Sequence, residues 1–243
     1  MIILKTWALR MIKAVFFDWF YTLARFEPPR HQLYSQAFQE FGIELPPEKV
    51  MRGILIADQY FFEENAKSPV AERGPEEQLE VYINYPNTIL TEAGANATRE
   101  LSLKVMQRVR GRFKGVAFSL FNDVLPTLKV LKQQNLTLGL LTNLDSDMVS
   151  ICCELGLEPY LDFVVTAKEA GADKPKPPIF LAALDKAGIN ASEAVHVGDQ
   201  YKLDVIGARA VGINPILIDR YDMYPEVSDC PRIHSLTELV QHL

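Results

Sequence analysis

Three aspartates, one lysine and one threonine occupy positions from which they could do chemistry together. Asp18 closes an apolar run from Ile12 to Phe17, and Thr142-Asn143 follows Leu138-Gly139-Leu140-Leu141. Asp199 follows Val195-His196-Val197-Gly198, with Asp204 five residues later. Lys174 sits in a proline-rich loop, Asp173-Lys174-Pro175-Lys176-Pro177-Pro178, just before a helical stretch. A carboxylate directly after a buried strand needs a partner or a metal, because desolvating it unpaired is costly. Each residue alone also has a plain role. Asp18 and Asp199 suit turns, Lys174 a solvated loop, Thr142-Asn143 a helix N-cap, and Asp204 the first turn of a helix. All of these plain roles holding at once, in this order and these strand contexts, is the weaker reading.

Together the groups are complementary. Three clustered carboxylates repel one another without a cation, and hard oxygen ligands at this density suit Mg²⁺ with a substrate phosphate. A carboxylate can attack phosphorus and form an aspartyl-phosphate. Lys174 adds a fixed positive charge and Thr142 a hydroxyl donor, which with Mg²⁺ would neutralise a transferring phosphoryl group.

Such a site requires strands that deliver all five residues to one sheet edge. Ile12 to Phe17, Leu136 to Leu141, Phe163 to Thr166, Ala194 to Val197 and Pro215 to Ile218 are short apolar runs suited to buried strands. Helical patterns alternate with them: Leu125 to Gln134, Asp147 to Leu155, Pro178 to Ala187, Lys202 to Ala210 and a short Ser235 to His242. Glycines at 156, 188 and 212 stop three of these helices. Alternation of this kind implies parallel pairing, and ligands of open α/β sheets bind beyond the carboxyl ends of the strands.

Between the first strand and the rest, the pattern is helical. His31 to Phe41, a longer helix from Pro46-Pro47-Glu48 to about Asn65, Glu76 to Tyr85, and Asn96 to Arg112 are the expected helices, and no strand is expected among them. Pro28-Pro29 breaks regular structure after the first strand. The chain therefore divides into a discontinuous α/β core, residues 11–23 and 118–243, and an inserted helical domain, residues 24–117.

The chain of 243 residues is 48% hydrophobic and 23% charged, an ordinary globular composition with ample material for a core. Its net charge of −6, without a Lys/Arg cluster, speaks against a nucleic-acid partner. No apolar run is long enough to span a membrane. Three cysteines, Cys152, Cys153 and Cys230, do not form a disulfide framework. Cys152 and Cys153 are expected as small core or surface thiols, in a reduced, cytoplasmic setting. Met1 to Arg10 resembles the start of a signal peptide but has too short an apolar region, and Met11 is a plausible alternative start.

The motifs Phe16-Phe17-Asp18-Trp19-Phe20-Tyr21-Thr22-Leu23, Leu140-Leu141-Thr142-Asn143, Lys174-Pro175-Lys176-Pro177 and Val197-Gly198-Asp199 through Asp204 resemble, in order, the four motifs of the haloacid dehalogenase superfamily. The likeness covers nearly the whole chain after Met11. It implies a Rossmann-like parallel sheet with a helical cap of the first type, Asp18 as nucleophile, and Thr142, Asn143 and Lys174 binding the phosphoryl group. It also implies Mg²⁺ held by Asp18, Asp199 and the main-chain carbonyl of Phe20, with Asp204 supporting it. A small phosphorylated metabolite is the implied substrate, for a monomer or homodimer.

The chain departs from that pattern at Phe20, where family phosphatases carry a second Asp that protonates the leaving group. Acid–base catalysis is worth roughly 10²–10⁴-fold, so weak activity on ordinary phosphate esters is expected, with acyl phosphates less affected. Tyr21 replaces a usual Gly, so the turn itself is a further point of divergence. An aromatic residue at Phe20 is also similar to the superfamily's metal-independent 2-haloacid dehalogenases, whereas Asp199 and Asp204 match the metal-binding phosphatases. A weakened binding protein is the third alternative. Among other residues, His196 reads as a hydrogen-bonded core histidine. Arg30 and His31 are candidates to face the site from the cap, and Tyr60-Phe61-Phe62 to form cap core or a substrate pocket.

Overall fold

The computed structural model describes residues 12–112, 117–144 and 146–243. The segment before Ile12, with the alternative start at Met11, lies outside them. In chain order the elements are β1 (Ala14–Phe17), β2 (Ala24–Glu27), α1 (Arg30–Gln39), α2 (Pro47–Lys67), α3 (Pro75–Glu92), α4 (Arg99–Arg112) and β3 (Ala117–Leu120). Then come α5 (Val124–Gln133), β4 (Thr137–Thr142), α6 (Met148–Glu154), β5 (Phe163–Thr166), α7 (Ala167–Ala170) and α8 (Pro177–Ala187). Last are β6 (Ala194–Gly198), a π-helical turn (Tyr201–Val205), α9 (Ile206–Ala210), β7 (Asn214–Ile218), β8 (Arg232–Ile233) and a 3₁₀ segment (Leu236–His242).

Two compact units result, one of Met1–Arg25 (as far as described) with Leu120–Leu243, the other of Phe26–Ser119. The first is an α/β unit around a six-stranded parallel sheet of order β5-β4-β1-β6-β7-β8. β1 lies centrally because all four of its residues are apolar, and all are fully buried. Phe16, Leu141 and Val165 of three neighbouring strands pack with Ile179, Phe180, Ala183 and Leu184 of α8. Burying each such side chain contributes roughly 1.5–3 kcal/mol, so this layer fixes the position of β1 relative to the loops that follow its neighbours. The register sets Phe17 beside Leu140 and Val197, so β1, β4 and β6 end at the same edge of the sheet, within two residues of one another.

The second unit is helical, with a core of Tyr34, Ala37 and Phe38 from α1, Val50, Ile54 and Ala57 from α2, Ile89 and Leu90 from α3, and Val105 and Val109 from α4. Gly53 lets α2 approach α3 closely, since a Cβ there would stand 2.9 Å from the Ile89 backbone. That packing carries α3 through Pro86 to Glu92, past the expected end at Tyr85. α4 begins at Arg99 rather than Asn96, because Thr98 caps it, its hydroxyl oxygen accepting the Leu101 N–H at 3.2 Å.

Strands β2 and β3, both unexpected, pair as a separate two-stranded sheet. Regular structure therefore persists through Ala24–Glu27, right up to the prolines expected to break it. The short β8, also unexpected, extends the main sheet beside β7. No helix among the described residues is long and apolar enough to cross a membrane.

Candidate active site

Asp18 leaves the end of β1 buried, its N–H donating to the Val197 carbonyl of β6 at 2.8 Å. Lys174, from the loop before α8, reaches Asp18 with its ammonium. The Lys174 ammonium donates to Asp18 Oδ1 at 2.5 Å and to Asp204 Oδ1 at 2.7 Å, and only 3% of Lys174 is exposed. Asp199 completes the group: carboxylate oxygens of Asp18, Asp199 and Asp204 all lie within 4.8 Å of one another. Asp18 and Asp199, 181 residues apart in the chain, thus converge, as the parallel pairing of β1 with β6 requires.

Asp18 and Asp204 are buried and Asp199 is half-buried, and the Lys174 ammonium pairs with the first two. Burial pushes the Asp18 carboxyl above its usual range; Lys174 pulls it down and the neighbouring Asp204 pushes it up again. Burial also works against the charge on Asp204, yet Lys174 and His196 hold it well below the usual carboxylate range. The difference follows from their partners, because Asp204 also accepts the Gln200 N–H at 3.0 Å and meets His196 Nε2 at 3.0 Å. Burial would lower Lys174, but Asp18 and Asp204 outweigh it and hold the ammonium protonated. Three carboxylates this close together offer the hard oxygen donors that fit Mg²⁺.

Thr142 is buried at the end of β4, and its hydroxyl oxygen accepts the Leu144 N–H at 3.1 Å, leaving the hydroxyl proton to donate. It is not the cap of α6; Asp147 is, accepting the Ser150 N–H at 3.1 Å. Asn143 acts on the lysine loop. Its Oδ1 accepts the Lys174 N–H at 2.8 Å and its Nδ2 donates to the Lys174 carbonyl at 3.2 Å. This reciprocal pair fixes the backbone from which the ammonium reaches Asp18.

Asp204 lies in a π-helical turn rather than the regular helix expected from Lys202 to Ala210. Such turns re-aim side chains locally. Gly198 makes room for it, since a Cβ there would stand 2.1 Å from the Asp204 carboxyl carbon.

Phe20, the departure from the pattern, is half-buried, with its ring 4.3 Å from that of Tyr21. Tyr21 has φ 60°. A left-handed conformation costs a non-glycine residue roughly 1 kcal/mol or more, so the turn keeps a glycine-like backbone with a tyrosine in place.

Several contributors were not singled out from the sequence. The Thr22 hydroxyl donates to Asp18 Oδ2 at 3.2 Å. Arg220 donates from Nε to the Tyr21 carbonyl at 3.2 Å and from Nη2 to the Thr22 carbonyl at 2.9 Å, while Asp123 accepts from both of its Nη atoms. It braces the turn after Asp18 from 199 residues away, and no local pattern around it signals this. His196 is the hydrogen-bonded strand histidine expected, and its partner is the site residue Asp204. Arg30 pairs with Asp58 inside the helical unit, Phe61 and Phe62 line a pocket there, and His31 is half-buried in α1. Cys152 is buried and Cys153 exposed, both as free thiols.

A model of the haloacid dehalogenase-like hydrolases matches residues 12–212. Haloacid dehalogenase-like hydrolase domain-containing protein 3 of Danio rerio is 36% identical over 122 residues, 50% of each chain. Ribulose-1,5-bisphosphate 5-phosphatase of Halopiger xanaduensis is 39% identical over 102 residues, 42% of this chain and 43% of that one. The chain thus spans about half the length of these curated relatives, or less. The fold is shared with the HAD-hydrolase YfnB of Bacillus subtilis, solved bound to magnesium, at TM-score 0.63 and 20% identity over 96% of this chain and 99% of that one. The match runs from β1 through α9 and takes in every residue of the acidic cluster and its lysine. The chain belongs to the haloacid dehalogenase-like hydrolase family.

Proposed function

We propose that the chain is a Mg²⁺-dependent phosphatase of small phosphorylated metabolites, working through an aspartyl-phosphate on Asp18. The observation that carries this reading is the convergence of three carboxylates, all within 4.8 Å of one another, with the buried Lys174 ammonium paired to two of them. Phosphatase names among its relatives support it. Asp18, Asp199, Asp204 and the main-chain carbonyl of Phe20 would hold Mg²⁺, which supplies positive charge to offset the cluster and the phosphoryl oxygens.

In this reading the Asp18 carboxylate attacks phosphorus, and the bond to the leaving oxygen breaks. Lys174 and the Thr142 hydroxyl bind the transferring phosphoryl group, and Asn143 keeps the Lys174 backbone in place. Water then attacks phosphorus, releasing inorganic phosphate and restoring the carboxylate. Phe20 offers no proton at either step. Leaving groups that depart as stable anions therefore suit the site, and acyl phosphates are favoured over alkyl esters. The helical unit follows β1 in the chain, and we assign it the role of the substrate-selecting cap. Free thiols fit a cytoplasmic setting.

The test is phosphate release from p-nitrophenyl phosphate and acetyl phosphate, with and without Mg²⁺, beside Asp18→Asn. Release that requires Mg²⁺, favours acetyl phosphate and disappears in the variant is expected. Release that persists in Asp18→Asn refutes the assignment. Phe20 favours one second reading, a 2-haloacid dehalogenase. Halide release from 2-chloropropionate, unaffected by chelation of metal, would support that reading instead.

A further inference from the structure

Helices α1 to α4 line a pocket of about 770 Å³ whose lining residues all belong to the helical unit. That size is within the range of small-molecule sites. Its buried end is polar. Arg30 Nη1 donates to Asp58 Oδ1 and to the Tyr85 hydroxyl, each at 2.9 Å, and the second Arg30 nitrogen pairs with Asp58 Oδ2. The Tyr85 hydroxyl in turn donates to Asp58 Oδ1 at 2.5 Å. One guanidinium and one carboxylate cancel, so this end asks for no charge from a ligand.

The outer walls are apolar and largely aromatic. Phe61 faces Tyr82 with ring centroids 6.4 Å apart and 23° between planes, and Phe62 meets Phe61 edge-on. Tyr82 is 41% exposed and Leu79 38%. The packed core of the unit includes neither, nor Phe61 or Phe62. Their apolar surface is therefore not explained by folding of the unit, and leaving it in water is unfavourable. Arg110 also lines the pocket, is exposed, and forms no ion pair among the described residues.

We infer that this pocket binds a flat aromatic molecule carrying one anionic group, its rings against Phe61, Phe62 and Tyr82 and its anion paired with Arg110. Aromatic rings supply the contact area at low entropic cost, and offset or edge-on ring pairs add to it. A planar guanidinium matches a carboxylate, sulfonate or phosphate bidentately. The site depends on no chemistry at Asp18.

Fluorescence titration of the full chain with 1-anilinonaphthalene-8-sulfonate, an aromatic anion, tests this against the uncharged N-phenyl-1-naphthylamine. Saturable binding of the sulfonate with one-to-one stoichiometry is expected. Arg110→Gln should weaken the sulfonate about tenfold and leave the neutral probe within about twofold. Tyr82→Ala should weaken both by about fivefold or more. Both positions are exposed, and circular dichroism checks that the variants remain folded. No saturable binding, or affinities unchanged in both variants, overturns the site. Equal weakening of both probes by Arg110→Gln overturns the anion assignment. Phosphate release plays no part in the readout, so failure here leaves the Asp18 reading untouched, and the converse holds.

Discussion

Both units bury an ion pair, and they do so on opposite terms. In the helical unit, Arg30 and Asp58 meet one to one, and Tyr85 closes the ring of hydrogen bonds. Burial, with the Asp58 carboxylate adding to it, lifts the Tyr85 phenol well above its usual value against the pull of Arg30, so the group stays a neutral donor. In the α/β unit, one ammonium, that of Lys174, is shared between Asp18 and Asp204, with the Asp199 carboxylate close by. A balanced buried pair can serve architecture. Carboxylates crowded within 4.8 Å of one another repel, and a bound cation relieves that repulsion, which is why catalysis is assigned to the second and not the first.

The comparison breaks most readily at Lys174. Lys174→Met removes the ammonium that Asp18 and Asp204 share, and acetyl phosphate turnover should fall by about 10³-fold or more. Retained turnover would mean that Lys174 serves only structure. At Asp58 the effect is on stability instead. Asp58→Ala strands the Arg30 guanidinium in the helical unit and should cost about 3–5 kcal/mol by denaturant unfolding, whereas Arg30→Met with Asp58→Leu should be close to neutral. If the double variant is as unstable as the single one, the balanced pair does more than hold itself. A smaller effect, in the opposite direction, is expected at the turn. Phe20→Asp should raise p-nitrophenyl phosphate turnover by about tenfold to a hundredfold. No gain in a folded variant that still binds Mg²⁺ would show that Tyr21 or the cap has diverged as well.

The smallest effect concerns the brace behind that turn. Burial raises Asp123, but hydrogen bonds and charge from Arg220, with Ser235 and the Leu236 N–H, outweigh it and lower the carboxyl below its usual range. A depressed carboxyl stabilises the fold above its unfolded pKa, and the contribution disappears as pH falls through the folded value. Arg220→Met should therefore cost about 2 kcal/mol near neutral pH, and the gap from the parent protein should narrow as pH drops below about 4. Thermal melts at both pH values measure it. A gap independent of pH would mean that Arg220 acts through the Tyr21 and Thr22 carbonyls alone.

What the sequence made legible was whatever depends on local pattern. β1, β4 and β6 are buried on both faces and, with the less buried β5 and β7, read as apolar runs; the ends of the first three name Asp18, Thr142 and Asp199 directly. Lys174 and Asp204 followed from loop and motif position. Elements whose existence rests on distant packing were not legible. β2, β3 and β8 are short and only partly buried. α3 continues through Pro86 because Ile89 and Leu90 have a core to enter, which no local propensity records. The π-helical turn replaces a regular helix where Asp204 must fit against Gly198. Arg220 and Thr22 escaped notice for a related reason, since a brace and a hydroxyl become site residues only once the turn they serve has folded.

The central claim is that the carboxylate cluster exists to carry a phosphoryl group on Asp18. Rapid acid quenching of the enzyme during turnover of acetyl phosphate with Mg²⁺, followed by peptide mass mapping, tests it most directly. The account predicts one phosphoryl group on the peptide containing Asp18, absent without Mg²⁺ and absent in Asp18→Asn. Turnover with the label on another residue, or with none on any peptide at any quench time, would contradict it.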